Sequence, residues 1–218
     1  MVPHSLARHA FKRFYVIFVL LWICLVLYPN PVNLVRSVKM VINPVTDAAA
    51  VADLAATLPS DPALIEQEIM GIIPYGFDWE VYGMPWYFPS VEQTLEKGVG
   101  DCKGRTLVFA SILEAKEIPY TIVCSPIHMW VDYEGKHASG MENEDVKLFD
   151  RNPETGQMML RLPRISLKEV WEITWEGFWD PMPGLRKALF IAGPSMILGL
   201  RFGGHRAMAV VRGRKVDI

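Results

Sequence analysis

The chain has 218 residues, 51% of them hydrophobic, and a formal charge of -2; that is enough for one domain with a real core and short for two. The small net charge hides an asymmetry: residues 1–13 hold three basic residues and no acid, residues 201–218 hold five basic residues against Asp217, and the interval 14–200 holds 14 basic and 23 acidic residues, a net of -9. An acidic body of this kind repels a phosphate backbone, which excludes nucleic acid as a natural partner.

Residues 1–13, with Arg8, Lys12 and Arg13, read as a basic cytoplasmic tail. The following FYVIFVLLWICLVLY (14–28) has neither charge nor proline. As a helix it spans roughly 22 Å, short of the ~30 Å hydrocarbon core, so Ala10, Phe11 and the snorkelling chains of Lys12 and Arg13 complete it. A transmembrane anchor over 14–29 is expected, with a cleaved signal peptide as the rival; the PNPVN that follows offers no small-x-small cleavage site. Basic residues ahead of the span place the N-terminus in the cytoplasm and the remainder outside.

Residues 30–60 read as a juxtamembrane linker, punctuated by Pro31 and Pro44, and a short helix over 46–59. A domain over 61–182 follows. Ser60 or Asp61 caps a helix with Pro62 in its first turn and Ile65, Ile69 and Ile72 at helical spacing. The aromatic stretch 75–89 reads as irregular, and Ser90 with Gln93 forms a capping-box pattern opening a helix that Gly98 ends. Leu107, Val108, Ala110, Ile112 and Leu113 fit a mostly buried helix over 102–116. Strands are expected over 120–125, 128–134 and 146–150, the last two joined by a hairpin loop. Helices first and strands afterwards imply an α+β arrangement around an antiparallel sheet. A second apolar run, 188–200, contains Gly193 and Pro194 and is followed by basic residues; 186–202 is a possible second membrane segment, a surface or core helix being the alternative, and 203–218 reads as a basic tail.

Three cysteines occur, Cys24, Cys102 and Cys124, with no C-x-x-C pair. Cys102 stands on the first turn of its helix, where unpaired N–H groups, the helix dipole, Lys103 and Arg105 all favour an anion, and the thiolate is the reactive form of cysteine. His128 opens the second strand and can take the thiol proton, then return it to a leaving amine. Asp132 lies too far along the strand to orient that ring; Asp150, on the neighbouring strand, is the expected orienter. Trp86 and Gln93 are candidate oxyanion donors, although Gln93 also closes the capping box and Trp86 also suits a cleft wall or the core. Asp101 reads as a helix cap and Trp130 as core on the opposite strand face. A Cys102–Cys124 disulfide would abolish nucleophilic chemistry. A metal site of Cys102, Cys124, His128 and Asp150 has irregular spacing, and no metal or cofactor is expected.

In chain order, GVGDCKGRTLVFASILEAKEIPY (98–120), IHMWVDYEG (127–135) and KLFDRNP (147–153) resemble the Cys, His and Asp segments of the transglutaminase-like branch of the papain-like thiol enzymes, with its membrane-anchored bacterial and archaeal members as the nearest kind. The resemblance covers roughly a third of the chain. It implies a nucleophile helix packed on an antiparallel sheet, with Cys102 as nucleophile, His128 as base and then acid, and Asp150 as orienter. The activity it implies is hydrolysis of a peptide or amide through a thioester, on a peptide or protein substrate such as a cell-wall peptide. An acyltransferase joining amides to amines, or an inactive peptide-binding module of the same fold, are the alternatives. The calcium-loop pattern and second half of the large animal transglutaminases, and the zinc-binding cysteine pairs of family glycanases, are not matched.

Overall fold

The structure is a computed structural model. It describes residues 4–213 except 138, 143, 152–157, 161–163 and 165, and for residues 4–13, 144, 149–151, 158–160 and 200–213 the backbone alone. The chain divides into two compact units, Val32–Pro181 and the pair of end segments Met1–Pro31 and Met182–Ile218.

The end segments contribute two antiparallel helices, α1 (His4–Leu27) and, last in the chain, a 30-residue helix over Gly184–Gly213 that encloses Pro194. Trp22 Nε1 donates to Leu189 O at 2.9 Å and Arg186 Nη1 donates to Val26 O. The 188–200 run is thus the middle of a longer helix. On α1, Phe14, Ile17, Phe18, Leu21 and Leu25 are all more than half exposed. Among the described residues no single helix is long and apolar enough to cross a membrane; Phe14–Leu27 and Pro31–Ile42 pass that test only as a pair.

The central unit opens with α2 (Pro31–Ile42), where a linker was expected. Proline at the first helical position has its ring angle preset and loses no hydrogen bond there. Ser37 and Met40 turn inward, and Ser37 Oγ accepts from Phe88 N at 3.0 Å. Of the helix expected over 46–59 only α3 (Ala52–Thr57) is α-helical, because Asp47 Oδ1 accepts from Ala50 N at 3.0 Å and holds a turn instead. In α4 (Pro62–Ile72), capped by Asp61, Ile65 and Ile69 enter the core, followed by Ile73 just beyond the helix; Ile72 is 40% exposed. A short α5 (Asp78–Tyr82) interrupts the aromatic stretch. In α6 (Val91–Lys97) the capping box forms: Ser90 Oγ accepts from Gln93 N at 3.2 Å and Gln93 Oε1 accepts from Ser90 N at 3.0 Å.

The pillar of the unit is α7 (Cys102–Ala115). Every residue from 106 to 113 is buried, because α3, α4 and α6 pack on it along with the strands β1 (Tyr120–Cys124) and β2 (Met129–Tyr133). Its polar residues are satisfied within the core: Ser111 Oγ donates to Leu107 O at 2.7 Å and accepts from Asp47 N at 2.9 Å. Gly104 sets the approach of α6, since a Cβ there would stand 3.1 Å from the buried Thr94 side chain.

β1 and β2 form an antiparallel hairpin, Tyr120 opposite Tyr133 and Cys124 opposite Met129. β3 (Phe149–Arg151) pairs antiparallel with β4 (Met158–Leu160) in a separate two-stranded sheet. The expected hairpin between the second and third strands is corrected here. The chain after β2 returns to β1, with Leu148 N donating to Cys124 O at 2.9 Å, so β3 finds its partner downstream. Then come α8 (Leu167–Thr174) and a π-helical turn (Trp175–Trp179), whose Phe178 stacks on Trp86 with ring centroids 4.9 Å apart. The final helix, α9, is Gly184–Gly213. Among the described residues the architecture is therefore mixed: in the central unit, helices pack on the buried α7, and there are two small two-stranded antiparallel sheets.

Candidate active site

Cys102 is the first residue of α7, and Asp101 caps it: Asp101 Oδ1 accepts from Lys103 N at 2.9 Å and Gly104 N at 3.3 Å. One turn along, Thr106 Oγ1 donates to Met129 O at 3.0 Å. That bond ties the helix that Cys102 opens to the residue after His128. His128 itself sits at the end of the tight turn between β1 and β2. Ser125 Oγ accepts from His128 N at 2.9 Å and donates to His128 O at 3.0 Å, while Ser125 N donates to the same carbonyl at 2.8 Å. Three bonds thus fix the backbone from which the imidazole projects.

The ring is hydrogen-bonded to a carboxylate on one side and shares a cavity lining with Cys102, whose sulfur interacts with it electrostatically. The carboxylate is Glu142, with Oε1 at 2.9 Å from His128 Nε2. Burial pulls the imidazole down, and its interactions with Cys102 and Glu142 outweigh it, so His128 is pushed up to about 9. The His128 bond in turn holds Glu142 below the ordinary carboxylate range, reinforced by Lys136 against the opposing effect of burial. Lys136 Nζ reaches Glu142 Oε2 at 3.0 Å, Glu66 Oε1 at 2.7 Å and Val131 O at 2.9 Å. Tyr133 donates to Glu66 Oε2 at 2.7 Å. The ring is therefore held by a carboxylate that is itself held.

Trp130 is buried and stacks on His128 with centroids 5.9 Å apart and planes 13° from parallel. The expectation that the two occupy opposite faces is corrected: residues two apart on a strand point the same way. Cys102, His128, Glu142, Trp130, Tyr75 and Arg105 line one cavity of about 150 Å³. That is room for a scissile group and one side chain, well below the few hundred Å³ of an ordinary small-ligand pocket.

The basic residues beside Cys102 are engaged elsewhere. Lys103 Nζ is bonded to Asp78 Oδ2 at 2.9 Å and to Asp101 Oδ2, and its carboxylate partners outweigh burial to hold it well above its ordinary range. Burial, then the charge of Asp101, pushes Asp78 up to about 7 despite Lys103. Arg105 Nε donates to Ile73 O at 2.8 Å, and its guanidinium lies over the Tyr75 ring. Burial, then the neighbouring Cys102, pushes the Tyr75 phenol up to about 12, leaving it a proton donor at neutral pH.

Of the sequence candidates, Cys102 and His128 come together. Asp150 lies on β3 opposite Met159, and its side chain is outside the described residues. Gln93 uses its oxygen for the cap of α6 and for the Tyr87 hydroxyl, and Trp86 is 55% exposed with a backbone φ of 46°. Neither lines the cavity. Asp101 is the cap its position implied, and Asp132 faces Lys147 at 3.8 Å. Cys102 and Cys124 are free thiols, so the disulfide that would have blocked the sulfur is not formed. Burial, then Cys102, pushes the Cys124 thiol up. Among the described residues no cluster of three or more His, Cys, Asp or Glu suits a metal ion. Glu142, Lys136, Ser125 and Tyr75 were not singled out by the sequence; Glu142 belongs to the run ENED, in which nothing in the pattern marks one acid over another.

Two predictions follow from this geometry. Thr106→Val keeps the shape but leaves the buried Met129 carbonyl without its donor, so urea denaturation of the full chain in detergent should show a loss of about 1–3 kcal/mol. His128 has a folded value above its ordinary 6.5, so its contribution to stability is full below pH 6.5 and fades as pH rises through about 9. Comparing native chain and His128→Phe between pH 6 and 9.5 should show their difference shrinking with pH, by on the order of 2–3 kcal/mol.

Comparison with known proteins finds no family model, no curated protein and no solved structure that matches this chain.

Proposed function

We propose that this chain is a membrane-anchored cysteine hydrolase of the transglutaminase-like kind, a peptidase or amidase. The observation that carries the reading is that Cys102 at the start of α7 and the His128 ring, itself bonded to Glu142, line the same cavity. His128 takes the thiol proton, and the sulfur attacks a substrate carbonyl carbon to form a tetrahedral oxyanion. When the C–N bond breaks, His128 gives its proton to the departing amine and a thioester to Cys102 remains. Water then attacks the thioester, His128 receives its proton, and the C–S bond breaks to return the thiolate and release the acid. The Cys102 N–H at the helix start and the Tyr75 hydroxyl are the donors placed to meet the oxyanion. Glu142 takes the orienting role in this reading. Asp150, the orienter implied by the family resemblance, is retained as its competitor.

In this reading α1 anchors the chain with its N-terminus in the cytoplasm and the thiol unit outside. A peptide or protein, such as a cell-wall peptide, is the substrate. No metal or cofactor takes part. An acyltransferase would run the same first half and admit an amine in place of water, while a binding module would form no thioester.

The test is labelling of the full chain in detergent with a peptide acyl probe bearing a good leaving group, read by intact mass. Native chain should gain one acyl group that Cys102→Ala never gains. Release of free acid in buffer supports hydrolysis, and release as an amide with added alkylamine supports transfer. Peptide binding with no covalent adduct would overturn both enzymatic readings.

A further inference from the structure

α2 is built inside out. Its inward face carries the buried Ser37, 4% exposed, beside Met40, whereas its outward face carries Val32 at 66%, Val35 at 55%, Val38 at 51% and Ile42 at 57% exposure. At 100° per residue those four chains form one stripe, with Arg36 just beyond the edge marked by Val32 and Lys39 just inside that edge. The helix has no acid, on an interval that is otherwise strongly acidic. A helix with a hydroxyl inside and aliphatic chains outside is unfavourable in water and favourable where its outer face meets an apolar medium.

We infer that α2 is a docking helix that lies in the plane of an anionic bilayer, its Val32, Val35, Val38 and Ile42 in the acyl boundary and its Arg36 and Lys39 at the headgroups. The inference extends the membrane half of the function proposed above and is independent of the thiol chemistry. Three observations select this occupant. The stripe starts only a few residues after the outward-facing apolar chains of α1. The basic edge attracts anionic headgroups. A second copy is a poor fit, because a 12-residue helix, about 18 Å long, offers far less than the ~800 Å² per partner of a stable interface, and a symmetric pairing would oppose two acidic bodies. Ser37 and Met40 are packed in the central unit, so α2 cannot serve as the continuation of a membrane span. Docking through α2 would hold that unit against the surface instead of leaving it on a free tether.

The experiment places an environment-sensitive fluorophore on the full chain at Val35→Cys or at Ile17→Cys, in a background of Cys24→Ser, Cys102→Ala and Cys124→Ala. Each variant is reconstituted in vesicles of phosphatidylcholine alone or with one third phosphatidylglycerol. The Val35 probe should be quenched by lipid-borne bromine and shielded from aqueous iodide. Quenching should be at least twofold stronger with the anionic lipid, a difference that Arg36→Gln with Lys39→Gln removes. A Val35 probe open to iodide and untouched by bromolipid overturns the inference. So does one shielded from both with crosslinking between copies, which would assign the stripe to a second chain. The Ile17 probe reads the anchor separately: lipid contact there with a wet Val35 sinks only α2 docking, whereas an Ile17 probe open to water sinks the anchor itself.

Discussion

Iodoacetamide should modify Cys102 at pH 6 on the order of a hundredfold more slowly in His128→Ala than in the native chain. An unassisted thiol is almost entirely protonated at pH 6, and only the thiolate reacts. The cations the sequence offers for stabilising it are engaged elsewhere, Lys103 with Asp78 and Asp101, Arg105 with Ile73 O and the Tyr75 ring. The imidazole is the partner left for the sulfur. His128 stays charged up to about 9, so the pH profile of turnover should keep its alkaline limb near that value, where the acid that protonates the leaving amine is lost. Glu142→Gln removes a negative partner of the ring and should move the limb downward by at least one pH unit, with Asp150→Asn leaving it in place. Equal alkylation rates in native and His128→Ala would end the nucleophile reading. A limb that moves with Asp150→Asn and not with Glu142→Gln would return the orienting role to Asp150.

The largest loss of stability is expected from Lys103→Met. One partly buried ammonium there serves two carboxylates, and Asp78 is only 6% exposed. Removing the cation leaves Asp78 and Asp101 facing each other in low dielectric, which costs about 3–5 kcal/mol. The dependence on pH has a definite sign. Asp78 is raised from its ordinary 3.8 to about 7, so its contribution to stability is present below pH 3.8 and is lost as pH rises through about 7. Without Lys103 that slope steepens, so chemical denaturation should show a penalty larger at pH 8 than at pH 5. Adding Asp78→Asn should recover part of it at pH 8. A Lys103→Met chain within about 1 kcal/mol of native at pH 8 would mean that these charges are solvated, not buried.

Some of this was legible in the residues themselves. The capping box of Ser90 and Gln93, the Asp61 and Asp101 caps, and the apolar run of α7 are local: each is decided by a few neighbouring residues and one hydrogen-bonding turn. The two strands on either side of the turn before His128 were readable as strands, while the hairpin was expected one strand too late, between 128–134 and 146–150 instead of between β1 and β2. α2 was hidden by the prolines at and around its ends, Pro29, Pro31 and Pro44, and its orientation was unreadable because periodicity gives the direction of an apolar face without saying what medium lies against it.

By itself the sequence determined that a cysteine would open a buried helix and that a histidine would follow at a strand start, since caps, periods and turns act over a few residues. Only the tertiary structure decided which carboxylate meets the ring, that Lys103 belongs to Asp78 and Asp101, and that valines of α2 face outward. Those choices depend on which side chains distant in the chain reach the same desolvated volume, where charge must find charge. A one-dimensional pattern carries no measure of that distance.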